Sequence, residues 1–410
     1  MNLEARIAIE ALRAGVPNRT AIRLMGNEHG LIEAGFDVAL EAAWDQDRPP
    51  GFGLSGGFGS GKSHLLGYLS EVAHAHRAVV SRVAISKETS LASPAAVFAA
   101  AVRNAVLPDS TDEAVGACLA SLRARPERLQ ALEDEVSAPE AGFAPIFAAS
   151  LFLLRRAATT PELMRGIERM LGGSRLPTTA VRRALREAGA RASFPLARIE
   201  ARDLFAQRID FLPRLFRAAG YGPWCLFLDE VELIGRYTPL QRGLAYAELA
   251  GWLGLPEARH VQGLVVVFAV TDDFVAAVSD PKLDSERLPE RLRLKGREHE
   301  ARLALAGIAA IEQSVREYRL APPTERDLRA CHDKLQRLYA EAYDWAAPPL
   351  PPPVRTSSRT MRHYIKGWVT QWDLARLLGR GGPLVTEVLA TTYTEDPSLD
   401  AAPATEDETE

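Results

Sequence analysis

Apolar residues recur at helical spacing over residues 3–14 and again from about 21 to 44, with Gly15-Val16-Pro17-Asn18 interrupting the two patterns. A turn at 46–50 leads into a short strand candidate at 51–55, followed by glycines and a helical pattern over 63–76. Residues 79–85 are rich in β-branched side chains and predict a strand. From about 94 to 219 the pattern is almost entirely helical, punctuated at Pro108, Pro126, Gly172-Gly173 and Pro177. Two wholly apolar runs, 224–228 and 264–270, have the composition of strands buried on both faces, and a helical pattern at 239–253 separates them. Helical patterns return at 300–318, 324–343 and 359–379, with a proline-rich linker at 348–358. The acidic stretch from Glu395 to Glu410 has few packing residues and is expected to be disordered.

Strands alternating with helices predict an α/β class with a parallel sheet flanked by helices. The expected organisation is an N-terminal helical segment (1–50) and a core made of 51–96 and 200–298. A helical insertion (97–199), a helical C-terminal lid (299–390) and an acidic tail (391–410) complete it.

Composition narrows the picture. The chain has 410 residues, of which 47% are hydrophobic and 25% charged, which excludes a disordered chain or a small disulfide scaffold. A net charge of −4 argues against a generally basic nucleic-acid coat protein. Cys118, Cys225 and Cys331 lie far apart with no CxxC pair, as in a reducing compartment. The start is an amphipathic pattern carrying Glu and Arg, and no apolar run approaches the roughly 18 residues of a membrane span, so a cytoplasmic location with no membrane partner is expected. The histidines form no HExxH, so a zinc site is not expected.

The candidate chemistry lies at 56–63. Gly56, Gly57, Phe58, Gly59, Ser60, Gly61, Lys62 and Ser63 spell GxxxxGK[ST] between a strand candidate and a helix. Glycines let successive N–H groups turn toward phosphate oxygens, Lys62 supplies a point charge at the β and γ phosphates, and the Ser63 hydroxyl is a Mg²⁺ ligand. His64, the next residue, is included in the expected ATP-binding set. Only six of the 49 basic residues are lysines, which draws attention to Lys62. At the end of the 224–228 run stand Asp229, the second expected Mg²⁺ ligand, and Glu230, the expected base that polarises the attacking water, with Glu232 as the alternative base. Adjacent acids of this kind resemble the additional-strand, AAA-like class of P-loop NTPases. After the 264–270 run, Thr271 is the candidate for sensing the γ-phosphate and Asp272 the second, although both residue types serve equally as helix caps. Arginines able to reach a nucleotide are Arg287, Arg291, Arg293, Arg359 and Arg362; a salt-bridged solvent face explains such clusters as well. The same holds for the seven arginines between Arg165 and Arg191, which would otherwise follow a nucleic-acid backbone.

Six stretches together resemble the ATP-binding protein family of bacterial BREX phage-defence systems, the BrxD type. They are IEALRAGVPNR (9–19), GGFGSGKSHLL (56–66), VAISKET (83–89), LFLDEVE (226–232), LYAEAYDW (338–345) and RHYIKGWVTQWDL (362–374). The resemblance implies an AAA-like ATPase core and a role beside other BREX defence proteins. It also implies an adenine-side wall from residues 15–19 with Ile22 or Leu24 on the base, and a switch or contact surface at Lys87 and Glu88. The expectation is therefore an ATPase coupling ATP to engagement of double-stranded DNA or a partner protein, with a homo-oligomeric ring left open. The alternatives are a nucleotide-gated switch with little turnover and an origin-recognition-like DNA loader.

Overall fold

The computed structural model describes residues 2–16, 18–27, 29–45, 47, 49–156, 159–174, 176–350, 360–379 and 393–400. Its centre is a sheet of five strands among the described residues: β1 (Phe52–Ser55), β2 (Val79–Ala84), β3 (Ala105–Val106), β4 (Trp224–Asp229) and β5 (Leu264–Val270). The order is β1-β5-β4-β2-β3. All neighbours are parallel except β3, which pairs antiparallel with β2 through Val80↔Val106 and Ser81↔Ala105. The four expected strands are therefore present, and β3 is an addition inside the stretch that reads as helical. The register sets Leu54 opposite Ala269 and Ala84 opposite Asp229, so the carboxyl ends of β1, β4 and β5 converge at one edge.

Every residue of β5 and all but the last of β4 are buried. Alternation divides them between two cores. Leu226, Leu228, Val266 and Phe268 face the helices Pro94–Arg103, Ala201–Ala219, Pro239–Leu253 and Glu298–Glu317. Cys225, Phe227, Val265 and Val267 face Gly30–Glu41 and Lys62–Ala75. Covering both faces is what permits wholly apolar parallel strands.

A third cluster lies apart from the sheet. The N-terminal helix Leu3–Ala14 packs on Glu325–Tyr343 and Met361–Leu378 around Ile9, Leu335, Tyr339, Trp368 and Trp372. Asn2 caps the first of these helices, Gly15 ends it at φ 72°, and Thr324 with Asp327 forms a capping box on the second. Arg13 and Asp373 pair at 2.9 Å to join the first helix to the third. The two ends of the chain thus build one helical unit over the sheet edge.

Three expectations change. The pattern over 21–44 is two helices, Arg19–Met25 and Gly30–Glu41, because Gly26 turns left-handed at φ 69°. The helix Glu298–Glu317, placed with the lid by its pattern, belongs to the sheet core, and only the helices after it join the N-terminal unit. Residues 395–400, expected to be disordered, dock on the core through three acidic side chains discussed below; 401–410 lie outside the described residues.

The Glu298–Glu317 helix approaches Pro239–Leu253 so closely that a Cβ at Gly307 would lie 2.1 Å from the Tyr246 carbonyl oxygen. Backbone cannot yield as a side-chain tip can, so Gly307→Ala is expected to cost about 1–3 kcal/mol or more in stability. Chemical denaturation of both proteins checks this; an unchanged midpoint would show that the two helices are not in direct contact.

Candidate nucleotide site

The chain leaves β1 at Ser55 and enters the helix Lys62–Ala75 through 56–61. Gly59 and Gly61 stand at φ 78° and 111°, where side chains are disfavoured, and a Cβ at Gly56 would lie 2.5 Å from Ser60 Oγ. No side chain caps the helix at Gly61, so its first-turn N–H groups remain directed into the loop. Lys62 is buried, and its Nζ donates to the carbonyls of Gly56 at 2.7 Å and Gly57 at 3.3 Å.

This loop forms one wall of a cavity of about 680 Å³. Phe58, Gly59, Ser60, Gly61, Lys62, Ser63 and His64 line it, and Asp229 and Glu230 reach it from the end of β4. The His64 Nε2 lies 3.0 Å from the Gly26 carbonyl, which ties the loop helix to the N-terminal segment; burial holds the ring's pKa below its usual value. Gly56 and Gly57 sit behind the loop, holding Lys62.

Asp229 closes β4 and accepts the Glu230 N–H at 3.0 Å on Oδ1. Glu230 occupies the left-handed region at φ 60°, a conformation that a non-glycine residue adopts at a cost and that recurs at functional sites. Its carboxyl pKa is raised, first by burial and then by the charge of Asp229, with Lys62 opposing. Glu232 reaches the same cavity, although the strand does not continue to it. The chain turns into the 3-10 helix Val231–Arg236 instead. Burial pushes the Glu232 carboxyl up to about 7, and its Oε2 is buried with no hydrogen-bond partner among the described residues.

Thr271 is buried at the end of β5, but its hydroxyl is taken by Tyr393, 2.7 Å away. It is Tyr393 that lines the cavity. Asp272 turns aside to an ion pair with Arg319 at 2.6 Å. Among the candidate arginines, Arg287, Arg291 and Arg293 lie on Asp284–Arg293 away from the cavity, and Arg293 pairs with Glu298. Arg359 lies outside the described residues. Arg362 does line the cavity, its guanidinium 5.3 Å from the Phe58 ring centroid and its backbone N–H bonded to the Gly59 carbonyl. The helix Met361–Leu378 therefore begins on the glycine loop itself.

The opposite wall is apolar and comes from both chain ends: Leu12, Val16 and Met25 against Cys331, Met361 and Ile365. Gly15 and Val16 line the cavity at this wall; Pro17 is outside the described residues, and Arg19 pairs outward with Glu71. Ile22 and Leu24 do not reach it. Ile22 lies against Gly67, and Leu24 packs into the N-terminal cluster. Lys87 and Glu88 sit on a turn closed by the Ser86 hydroxyl and are not among the residues that line the cavity. Among the arginines of 165–191, Arg165 pairs with Glu162, Arg183 with Glu187, and Arg182 donates to the Leu196 carbonyl; Arg175 lies outside the described residues.

Sequence reasoning did not find Arg82, Arg236 or Tyr393. Arg82, a lone cation in an apolar strand, was the one with a signal. It donates to the Ser63 carbonyl at 3.1 Å, and burial lowers its pKa while nearby Asp229 opposes the shift. Arg236 lines the cavity from the 3-10 helix.

A mixed α/β sheet flanked by helices, with a glycine loop between its first strand and a helix, is compatible with a P-loop-like fold. Residues 4–125 match the family model described as BREX system ATP-binding protein BrxC/D. The match spans 122 of the 410 residues and includes the glycine loop, in line with the resemblance seen in the sequence. That family is one of ATP-binding proteins of BREX defence systems. No curated protein and no solved structure matched the chain. No helix among the described residues is long and apolar enough to cross a membrane.

Proposed function

We propose that the chain is an ATPase of the additional-strand, AAA-like class that serves a BREX defence system by coupling ATP hydrolysis to engagement of DNA or a partner protein. One observation carries this reading: Lys62, Ser63, Asp229 and Glu230, from two segments far apart in sequence, line a single cavity. The class assignment is supported by β5, which lies between the strand bearing the loop and the strand bearing the acids.

The residues present fit a magnesium ion. Ser63 and Asp229, each carrying an oxygen ligand, line the same cavity, so a cation here would take few protein ligands. That suits Mg²⁺, which takes one or two protein oxygens and completes its shell with phosphates and water. The Ser63 hydroxyl and the Asp229 carboxylate would hold it, and when bound it neutralises charge on the phosphates. The chain's own residues do the rest. The loop N–H groups and Lys62 bind and orient the phosphates, and the apolar wall excludes water from the base side. Glu230 holds the attacking water and takes its proton.

The test is phosphate release by the purified protein with ATP and Mg²⁺, with and without double-stranded DNA. Turnover that rises with DNA is the expected result. Tight ATP binding without turnover in either condition would overturn hydrolysis and leave a nucleotide-gated switch.

A further inference from the structure

Residues 393–400 cross the end of the sheet beside the cavity. Three acids hold them there. Asp396 pairs with Arg236 at 2.9 Å, and its N–H donates to the Arg236 carbonyl at 2.8 Å. Asp400 accepts from the Thr238 N–H at 3.1 Å and hydroxyl at 2.7 Å. Glu395 lies 3.5 Å from Arg242 and 3.7 Å from Lys282. The fit around Tyr393 is close. Its ring meets Phe274 edge-on at 6.1 Å, and a Cβ at Gly235 would come within 3.1 Å of it.

The Tyr393 hydroxyl lies between two groups at the end of β5. It donates to Asp273 Oδ1 at 3.2 Å, because a carboxylate offers no proton in return. The Thr271 hydroxyl, 2.7 Å away, must then be the donor to the tyrosine oxygen. Thr271 itself does not line the cavity, whereas Tyr393 does. Two further polar atoms at this wall are buried without partners among the described residues: Glu232 Oε2 and Arg236 Nε. The cavity wall at the carboxyl end of β5 is thus set by a residue more than a hundred positions beyond that strand.

We propose that Tyr393 is a positioning residue of the nucleotide site: through Thr271 and Asp273 it fixes the carboxyl end of β5 against the phosphate-binding end of the cavity. This rests on the nucleotide reading of the cavity. Burial raises the pKa of the phenol, so it remains a protonated donor throughout the working range. Removing its hydroxyl frees Thr271 and Asp273 to move without changing the apolar contacts of the ring.

Full-length Tyr393→Phe, Thr271→Val and the double variant test this by steady-state ATP hydrolysis, ATP binding and thermal denaturation. Each single variant is expected to lower kcat about tenfold, with KM and ATP affinity within about twofold and an unchanged melting temperature. The double variant is expected to be no slower than the singles, because the two hydroxyls act as one unit. Tyr393→Phe at wild-type kcat, or losses that multiply in the double variant, would overturn the proposal while leaving the ATPase reading intact. Wild-type protein that binds ATP without turning it over would overturn both.

Discussion

Lys62→Ala is expected to abolish measurable ATP turnover, a loss on the order of a hundredfold to a thousandfold, comparable with removing one preorganised donor from a developing charge. The side chain is 7% exposed, so its charge is little screened by water. It is the cation that opposes the raised pKa values of both Glu230 and Glu232. Without it, Asp229, Glu230 and Glu232 present acidic groups to a polyphosphate with less to offset them. Binding as well as hydrolysis should therefore weaken. The fold should persist, because among the described residues the Lys62 ammonium bonds only to two loop carbonyls and helix formation tolerates alanine well. Phosphate release, ATP binding and circular dichroism measured on the same preparations check the three statements together. Wild-type turnover in a folded Lys62→Ala protein would show that the cavity is not where ATP is hydrolysed.

The sheet was legible in the sequence wherever burial on both faces left no alternation to confuse. The runs now seen as β4 and β5 had no other stable environment. The loop was legible because its chemistry demands glycine at Gly59 and Gly61 and a lysine next to them. What sequence could not supply was juxtaposition. Glu232 seemed to need a longer strand in order to face Glu230. A 3-10 turn brings it to the cavity instead, and nothing in the alternation of VELIGR announces that turn. Ile22 and Leu24 are apolar and close in sequence to the cavity wall, yet helix phase sends one to Gly67 and the other to the lid cluster. The C-terminal acids read as solvated because their partners, Arg236, Thr238, Arg242 and Lys282, lie more than a hundred residues away. Their charge was visible in the sequence, but the complementary surface exists only once β4 and β5 are in place.

Glu230→Gln is expected to retain ATP binding and lose hydrolysis by about a hundredfold to a thousandfold, within the usual range for removing a general base. Glutamine keeps the length and shape of the side chain and can occupy the left-handed backbone at φ 60° at a cost similar to that of glutamate. The N–H that Asp229 accepts belongs to the backbone and is unaffected. What disappears is the carboxylate able to take a proton. Because that group is held near two other acids, its removal also relieves repulsion toward the phosphates, so ATP affinity should stay level or rise. Glu232→Gln is the informative companion. Its carboxyl, raised to about 7, is already half-protonated near neutrality, so the amide substitution should change turnover only a few-fold at neutral pH. Parallel measurement of kcat and ATP affinity separates the two acids. If Glu232→Gln loses the larger share of kcat, the base lies on the 3-10 turn rather than at the end of β4. If Glu230→Gln loses affinity as steeply as turnover, Glu230 helps to hold the nucleotide rather than the water.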